Sequence, residues 1–203
     1  MGEAKRKRER ALSGNQFDFA RLAAALKKLC LAASVNIGTD CFTHATLGQA
    51  VLQAHGVRAD IVVGFAGWRV GDGDGDVILH APAPNMPYQP GGVAYHVWLE
   101  LDGYIFDATT YQLRQKAASL DLLDGGCTTV DWCPDYLYMS KKSSSTLQAI
   151  TMGHAGMYYY QQVPDVERHI MATAPVMDVH DACIACTLYD NPDVVIFGPN
   201  DQK

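Results

Sequence analysis

No run of about 20 uncharged apolar residues occurs anywhere in the chain, so a membrane-spanning helix is not expected. The start is basic, with Lys5, Arg6, Lys7, Arg8 and Arg10. The apolar stretch that follows, residues 17–35, is broken by Lys27-Lys28 and reads as an amphipathic helix instead of a signal sequence. Gly2 is followed by Arg6 where a myristoylation signal needs Ser or Thr. An excess of positive charge is missing too. Against 22 Asp and Glu stand 16 Lys and Arg, a net charge of −6, which leaves no basic field for nucleic acid as the main partner. Cysteine is sparse: six residues at 30, 41, 127, 133, 183 and 186 are too few and too unevenly spaced for a disulfide scaffold. The default expectation is therefore a cytoplasmic, reduced protein with no membrane and no nucleic-acid partner. Residues 1–15 are expected to be a frayed, solvated N-terminus.

What is present is the composition of a folded protein. At 203 residues, 48% hydrophobic and 19% charged, the chain suits one domain, residues 1–203, with a substantial core. Helical spacing of Phe17, Leu22, Leu26, Leu29 and Ala33 predicts a first helix over 17–34. A second is predicted from Cys41 to His55, with Thr39 or Asp40 as N-cap and Gly56 as its stop. Strand composition marks 59–70, after which Gly71 to Asp76 makes a flexible acidic turn, and marks Val77 to His80 as well. Ala81 to Gly92 is a Pro-rich loop. The clearest hairpin joins Val93–Leu101 to Tyr104–Thr109 through Asp102-Gly103. Further on, short helices are expected near 113–123 and 176–188. An aromatic strand or helix edge is expected at 157–160 and a terminal strand at Val194–Phe197. The fold class is α+β, with the N-terminal helices packed on an antiparallel sheet.

The chemistry lies in the order Cys41, His96, Asp107. A two-residue Asp102-Gly103 turn pairs Leu101 with Tyr104, Leu99 with Phe106, and Trp98 with Asp107. His96 then shares a face with Asp107, diagonally across the ladder at roughly 7–8 Å between Cα atoms. A free thiol titrates near 8.5 and is only slightly ionised at neutral pH, as a general rule. A helix N-terminus and a neighbouring imidazolium lower that value and produce the reactive thiolate. His96 would take the thiol proton and return it to the leaving group, while Asp107 holds the imidazole in its useful tautomer. The Cys41 backbone N–H is a natural oxyanion donor, with Asn36 as candidate for the second.

These blocks resemble the transglutaminase-like branch of the papain-like cysteine proteinase superfamily. In that branch a Cys-headed helix runs into a Gly-containing turn and strand, here Gly56-Val57-Arg58-Ala59-Asp60-Ile61-Val62-Val63-Gly64. A His-containing strand follows, here His96-Val97-Trp98-Leu99-Glu100, and then a strand ending in Asp107-Ala108-Thr109. The resemblance covers residues 39–110 and implies a cysteine proteinase (transglutaminase-like) fold, with Cys41 as nucleophile, His96 as base and Asp107 as orienting acid. It departs in a long Cys-to-His insertion and in a C-terminal half with no match. The superfamily includes peptidases, amidases, acyltransferases and inactive members, so fold analogy alone selects no substrate.

The reading that follows is a thiol-dependent hydrolase or acyltransferase acting on an amide or peptide bond through a thioester. Its partner is a peptide, protein or small amide substrate, and no cofactor or metal is called for. The alternative is a catalytically inactive or zinc-binding module using the same fold for recognition. His44, one turn beyond Cys41, is expected to pack or hydrogen-bond; Cys41-x-x-His44 with His80 or His96 is the zinc set to weigh against the triad. His180-x-x-Cys183-x-x-Cys186 reads as structural, on a core face with Val179. Trp98 shares the His96 face and is expected to line a substrate groove.

Overall fold

In the computed structural model, which describes residues 17–82 and 94–202, Asp18 opens the fold. Its carboxylate accepts the Arg21 N–H at 3.0 Å and caps helix α1, Phe19–Ala33. Leu22, Ala25, Leu26 and Leu29 repeat at helical spacing and are all buried, so α1 turns one apolar face inward. A short turn leads to helix α2, Cys41–Ala54, and Gly56 ends it with φ +74°, a left-handed conformation that favours glycine. The N-terminal segment expected to be frayed, and the Pro-rich loop beyond Pro82, lie outside the described residues.

Six antiparallel strands form the sheet: β1 Asp60–Arg69, β2 Val77–His80, β3 His96–Leu101, β4 Tyr104–Asp107, β5 Leu137–Ser140 and β6 Tyr158–Gln162. Their order is β2-β1-β3-β4-β5, and β6 also pairs with β1. Strand β1 thus serves three partners, which curls the sheet: β3 along 60–64, β2 along 66–69 and β6 along 64–68. Gly64 is the shared point, opposite His96 on one side and Gln162 on the other. A side chain at Gly64 would run into the Gln161 carbonyl oxygen, so glycine is what lets β6 approach there.

The β3–β4 hairpin has the register that its turn chemistry predicts, with Leu99 opposite Phe106, Glu100 opposite Ile105 and Leu101 opposite Tyr104. Asp102 and Gly103 both take positive φ, 48° and 81°, as the tight hairpin turn demands. Alternation along the strands then fills two cores. Val63, Val97, Leu99 and Phe106 pack against α1, α2 and the C-terminal helix α6, Val179–Asp190. Val62, Trp68, Trp98, Ile105 and Tyr160 form the second core with Leu113 and Ala117 of helix α3, Leu113–Asp124.

Two short helices complete the chain, α4 Leu147–Met152 and α5 Pro164–Thr173. The fold is α+β, with helices on an antiparallel sheet, and none of the described helices is long and apolar enough to cross a membrane. The expected strand at Val194–Phe197 does not form. Instead the Lys28 ammonium collects the carbonyls of Pro192 and Val194, and Phe197 is 86% exposed. The expected core face on α6 is also displaced: Ala182, Ala185, Leu188 and Tyr189 are buried, whereas Val179 and Cys183 face solvent. Apolar residues at 182, 185, 188 and 189 make the wider continuous stripe.

Candidate active site

The hairpin fixes the first two members of the site. His96 is the first residue of β3 and Asp107 the last of β4, so antiparallel pairing sets them at the same end of the sheet. Both are fully buried, and His96 Nε2 donates to Asp107 Oδ2 at 2.8 Å. All other bonds to this carboxylate also come from donors. Tyr160 donates its hydroxyl to Oδ2 at 2.6 Å, and Thr109 donates both its N–H and its Oγ1 hydroxyl to Oδ1 at 2.8 Å. Trp68 Nε1 donates in turn to the Tyr160 oxygen at 2.9 Å, and the indole meets the His96 ring edge to face at 4.9 Å. An imidazole held this way has little freedom to rotate.

With Nε2 committed to Asp107, Nδ1 of His96 has no hydrogen-bond partner among the described residues. Cys41, the first residue of α2, is buried near this imidazole, close enough for each group to shift the other's protonation. Burial pushes this thiol up, but the hydrogen bond and charge of His96, the charge of Lys116 and the Val97 N–H bring it below its ordinary value. Burial opposes the charged form of His96 as well. The charge and hydrogen bond of Asp107, with the Cys41 thiol beside it, more than offset this and raise the imidazole. For Asp107, burial is likewise outweighed, chiefly by His96 with help from Lys116 and Tyr160, and its carboxyl is held well below the usual carboxylate range. All three shifts favour a thiolate–imidazolium–carboxylate row.

Lys116 is one of the residues that sequence reasoning missed. It lies on α3, is only 4% exposed, and places its ammonium 5.1 Å from the Trp68 ring centroid. No described carboxylate forms an ion pair with it, an uncommon state for a buried lysine. Burial lowers it, while the charges of Cys41, Asp107 and Asp40 support its protonated form. Its only sequence signal was a lysine on the apolar stripe of α3 beside Leu113 and Ala117.

Other expected residues take different places. Trp98 is 2% exposed and packs on Tyr160 at 5.3 Å in the second core, so it supports the site and does not line a groove. Asn36 is exposed in the α1–α2 turn, and the bonds it makes are through its backbone, to Ser34 and Thr39. An amide so loosely held is not preorganised as a donor. Asp40 occupies the cap position but makes no cap bond; its Oδ1 accepts from Gln112 Nε2 at 2.9 Å, and Gln112 Oε1 accepts the Gly38 N–H at 3.1 Å. His44 hydrogen-bonds as expected, with Nδ1 3.1 Å from the Asp40 carbonyl and Nε2 3.1 Å from the Tyr111 hydroxyl.

Residues 15–187 match the family described as "Protein of unknown function (DUF2026)". The chain belongs to this family. The match spans every member of the site, from Cys41 through Lys116 to Tyr160. The chain is also similar to a solved structure, "The crystal structure of genomics APC5867", with a TM-score of 0.62 and 19% identity over 90% of this chain and 83% of that one. At that identity the likeness speaks for the fold alone. No curated protein matches the chain.

Proposed function

We propose that the protein is a thiol-dependent acyl-transfer enzyme with a transglutaminase-like arrangement, acting on an amide or peptide bond through a thioester on Cys41. The observation that carries this reading is the orientation of His96. Its Nε2–H is fixed on Asp107, so Nδ1 keeps a free lone pair that can serve the Cys41 thiol nearby. An imidazole with one nitrogen fixed on a carboxylate and the other unpartnered is set to act as a base. The order of the elements also fits: a Cys-headed helix, then adjacent strands bearing His and Asp on a curled antiparallel sheet.

The steps follow from the row of charges. Nδ1 of His96 takes the thiol proton, and the thiolate attacks the carbonyl carbon, with the oxyanion facing the first-turn N–H groups of α2. The imidazolium gives its proton to the departing nitrogen as the C–N bond breaks, leaving a thioester and a free amine. A water molecule then loses a proton to His96 and attacks the thioester, which releases the acid and restores the thiol. Asp107 holds the tautomer throughout and stays ionised. Hydrolysis is the outcome proposed, since no feature selects an amine acceptor.

The test uses p-nitrophenyl acetate as an acyl donor. One equivalent of nitrophenol should appear in a burst, followed by slower turnover. The burst should vanish in Cys41→Ala and slow by roughly 100-fold or more in His96→Ala. A burst that survives Cys41→Ala refutes the assignment.

A further inference from the structure

Cys30, Asp40 and His44 converge from α1 and from the start of α2, and the triad uses none of them. All three are buried, and their Sγ, carboxylate and imidazole ligand atoms lie within 4.8 Å of one another. Sγ of Cys30 is 3.7 Å from His44 Nδ1, and Oδ1 of Asp40 is 3.5 Å from the same nitrogen. A tetrahedral zinc ion, with bonds of about 2.3 Å to sulfur and about 2.0–2.2 Å to nitrogen and oxygen, spaces its ligand atoms roughly 3.3–3.7 Å apart. The two pairs match that spacing, so only a small closing movement separates the trio from a coordination sphere.

Three further observations point to a ligand. Oδ2 of Asp40 has no partner although the side chain is 3% exposed, an orphan that hydrogen bonding within the protein leaves unexplained. The outer shell is also in place. Tyr111 sits 3.1 Å from His44 Nε2, and Gln112 donates to both the Tyr111 oxygen at 3.0 Å and Asp40 Oδ1 at 2.9 Å. Finally, Cys30 and Asp40 both line a cavity of about 400 Å³ between α1, α2 and the C-terminal helices, which gives access from outside.

We propose that Cys30, Asp40 and His44 form a binding site for a divalent transition metal, with zinc the best match and the fourth position open to the cavity. Sulfur and imidazole ligands select zinc-like ions over magnesium and calcium, which prefer all-oxygen sites. Charge balances: a thiolate, a carboxylate and a neutral imidazole sum to −2 against the +2 ion, so the buried assembly is neutral. Protons balance as well. The Cys30 thiol releases one proton on binding. The His44 proton moves from Nδ1, where it faces the Asp40 carbonyl, to Nε2, where the Tyr111 oxygen accepts it. Cys41 is not a ligand. The site would pin the first turn of α2 from behind while the thiol stays free on His96, so the proposal stands independently of the acyl-transfer reading.

Cobalt(II) added to the metal-free full chain tests it. One equivalent should bind and give thiolate-to-cobalt charge transfer in the near ultraviolet with visible bands of tetrahedral strength. Charge transfer should persist in Cys41→Ser and disappear in Cys30→Ser. Asp40→Asn, which keeps the side-chain size, should weaken cobalt binding by roughly 10-fold or more. Absence of stoichiometric binding, charge transfer that survives Cys30→Ser, charge transfer that is lost in Cys41→Ser, or unchanged affinity in Asp40→Asn each overturns the proposal.

Discussion

Replacing Asp107 by Asn examines the logic of the site most sharply, because every bond to that carboxylate comes from a donor. Four donors converge on it: His96 Nε2–H, the Tyr160 hydroxyl, and the Thr109 N–H and Oγ1. An amide brings two N–H groups of its own. Its oxygen must face the Thr109 N–H, which cannot reverse, so the NH2 falls toward His96. The imidazole can accept that NH2 only by moving its proton to Nδ1, which turns a donor toward Cys41 and removes the base. Without the ion pair the thiol returns at least to its ordinary value near 8.5, so at most about 3% is thiolate at pH 7 and alkylation slows by up to roughly 30-fold, the limit for a fully ionised wild-type thiol. Turnover should fall further, by on the order of 10⁴-fold, as when another triad is left with the wrong tautomer. The assay is iodoacetamide labelling at pH 7 with peptide-level mass spectrometry, which reads Cys41 separately from the exposed Cys127 and Cys183. Labelling of Cys41 in Asp107→Asn at the wild-type rate would refute the tautomer argument.

Three other outcomes follow from the same geometry. Lys116→Met removes a buried charge that helps hold the Cys41 thiol down; the labelling profile should move to higher pH, with Cys41 on the order of three- to ten-fold slower at pH 7 and no loss of stability. Asp107 is held far below its ordinary value, so the stability it contributes is present above about pH 3.9 and is lost as pH falls toward the folded value; urea midpoints of wild type and Asp107→Asn should converge by up to about 1.4 kcal/mol per pH unit below that point. His96 is shifted the opposite way, so its contribution is complete below about pH 6.5 and is lost as pH rises through its raised value; the gap between the two proteins should therefore be widest near pH 5–6. Gly64→Ala drives a methyl group into the Gln161 carbonyl and should cost about 1–3 kcal/mol, read as a lower thermal midpoint, while shifting β6 and its Tyr160 away from Asp107.

The sequence made the local parts of this site legible and left the long-range parts dark. Asp102-Gly103 determines the hairpin register, and that register alone predicts His96 beside Asp107, because side-chain facing in a ladder has period 2. The Cys41 helix start was readable from Asp40 and Gly56. Tyr160 and Lys116 were not readable as site residues. Tyr160 arrives on β6, 53 residues after Asp107, and its placement depends on the bare Gly64 that lets β6 approach. Lys116 resembles any lysine on a helix until the fold turns its face inward. Trp98 and Asn36 show the complementary failure: sharing a face or neighbouring the nucleophile in sequence says nothing of burial or of how firmly a side chain is held. The expected strand at Val194–Phe197 had the right composition, but tertiary contacts with Lys28 of α1 hold the segment instead.

Localising the acyl group shows whether Cys41 is the nucleophile. Protein mixed with p-nitrophenyl acetate should be acid-quenched within the burst, digested and mapped by mass spectrometry. One acetyl group per chain is expected, on Cys41, held as a thioester that neutral hydroxylamine removes, and strongly depleted in His96→Ala. An acetyl group on Cys127 or Cys183 with Cys41 unmodified, or equal acetylation of Cys41 with and without His96, would contradict it.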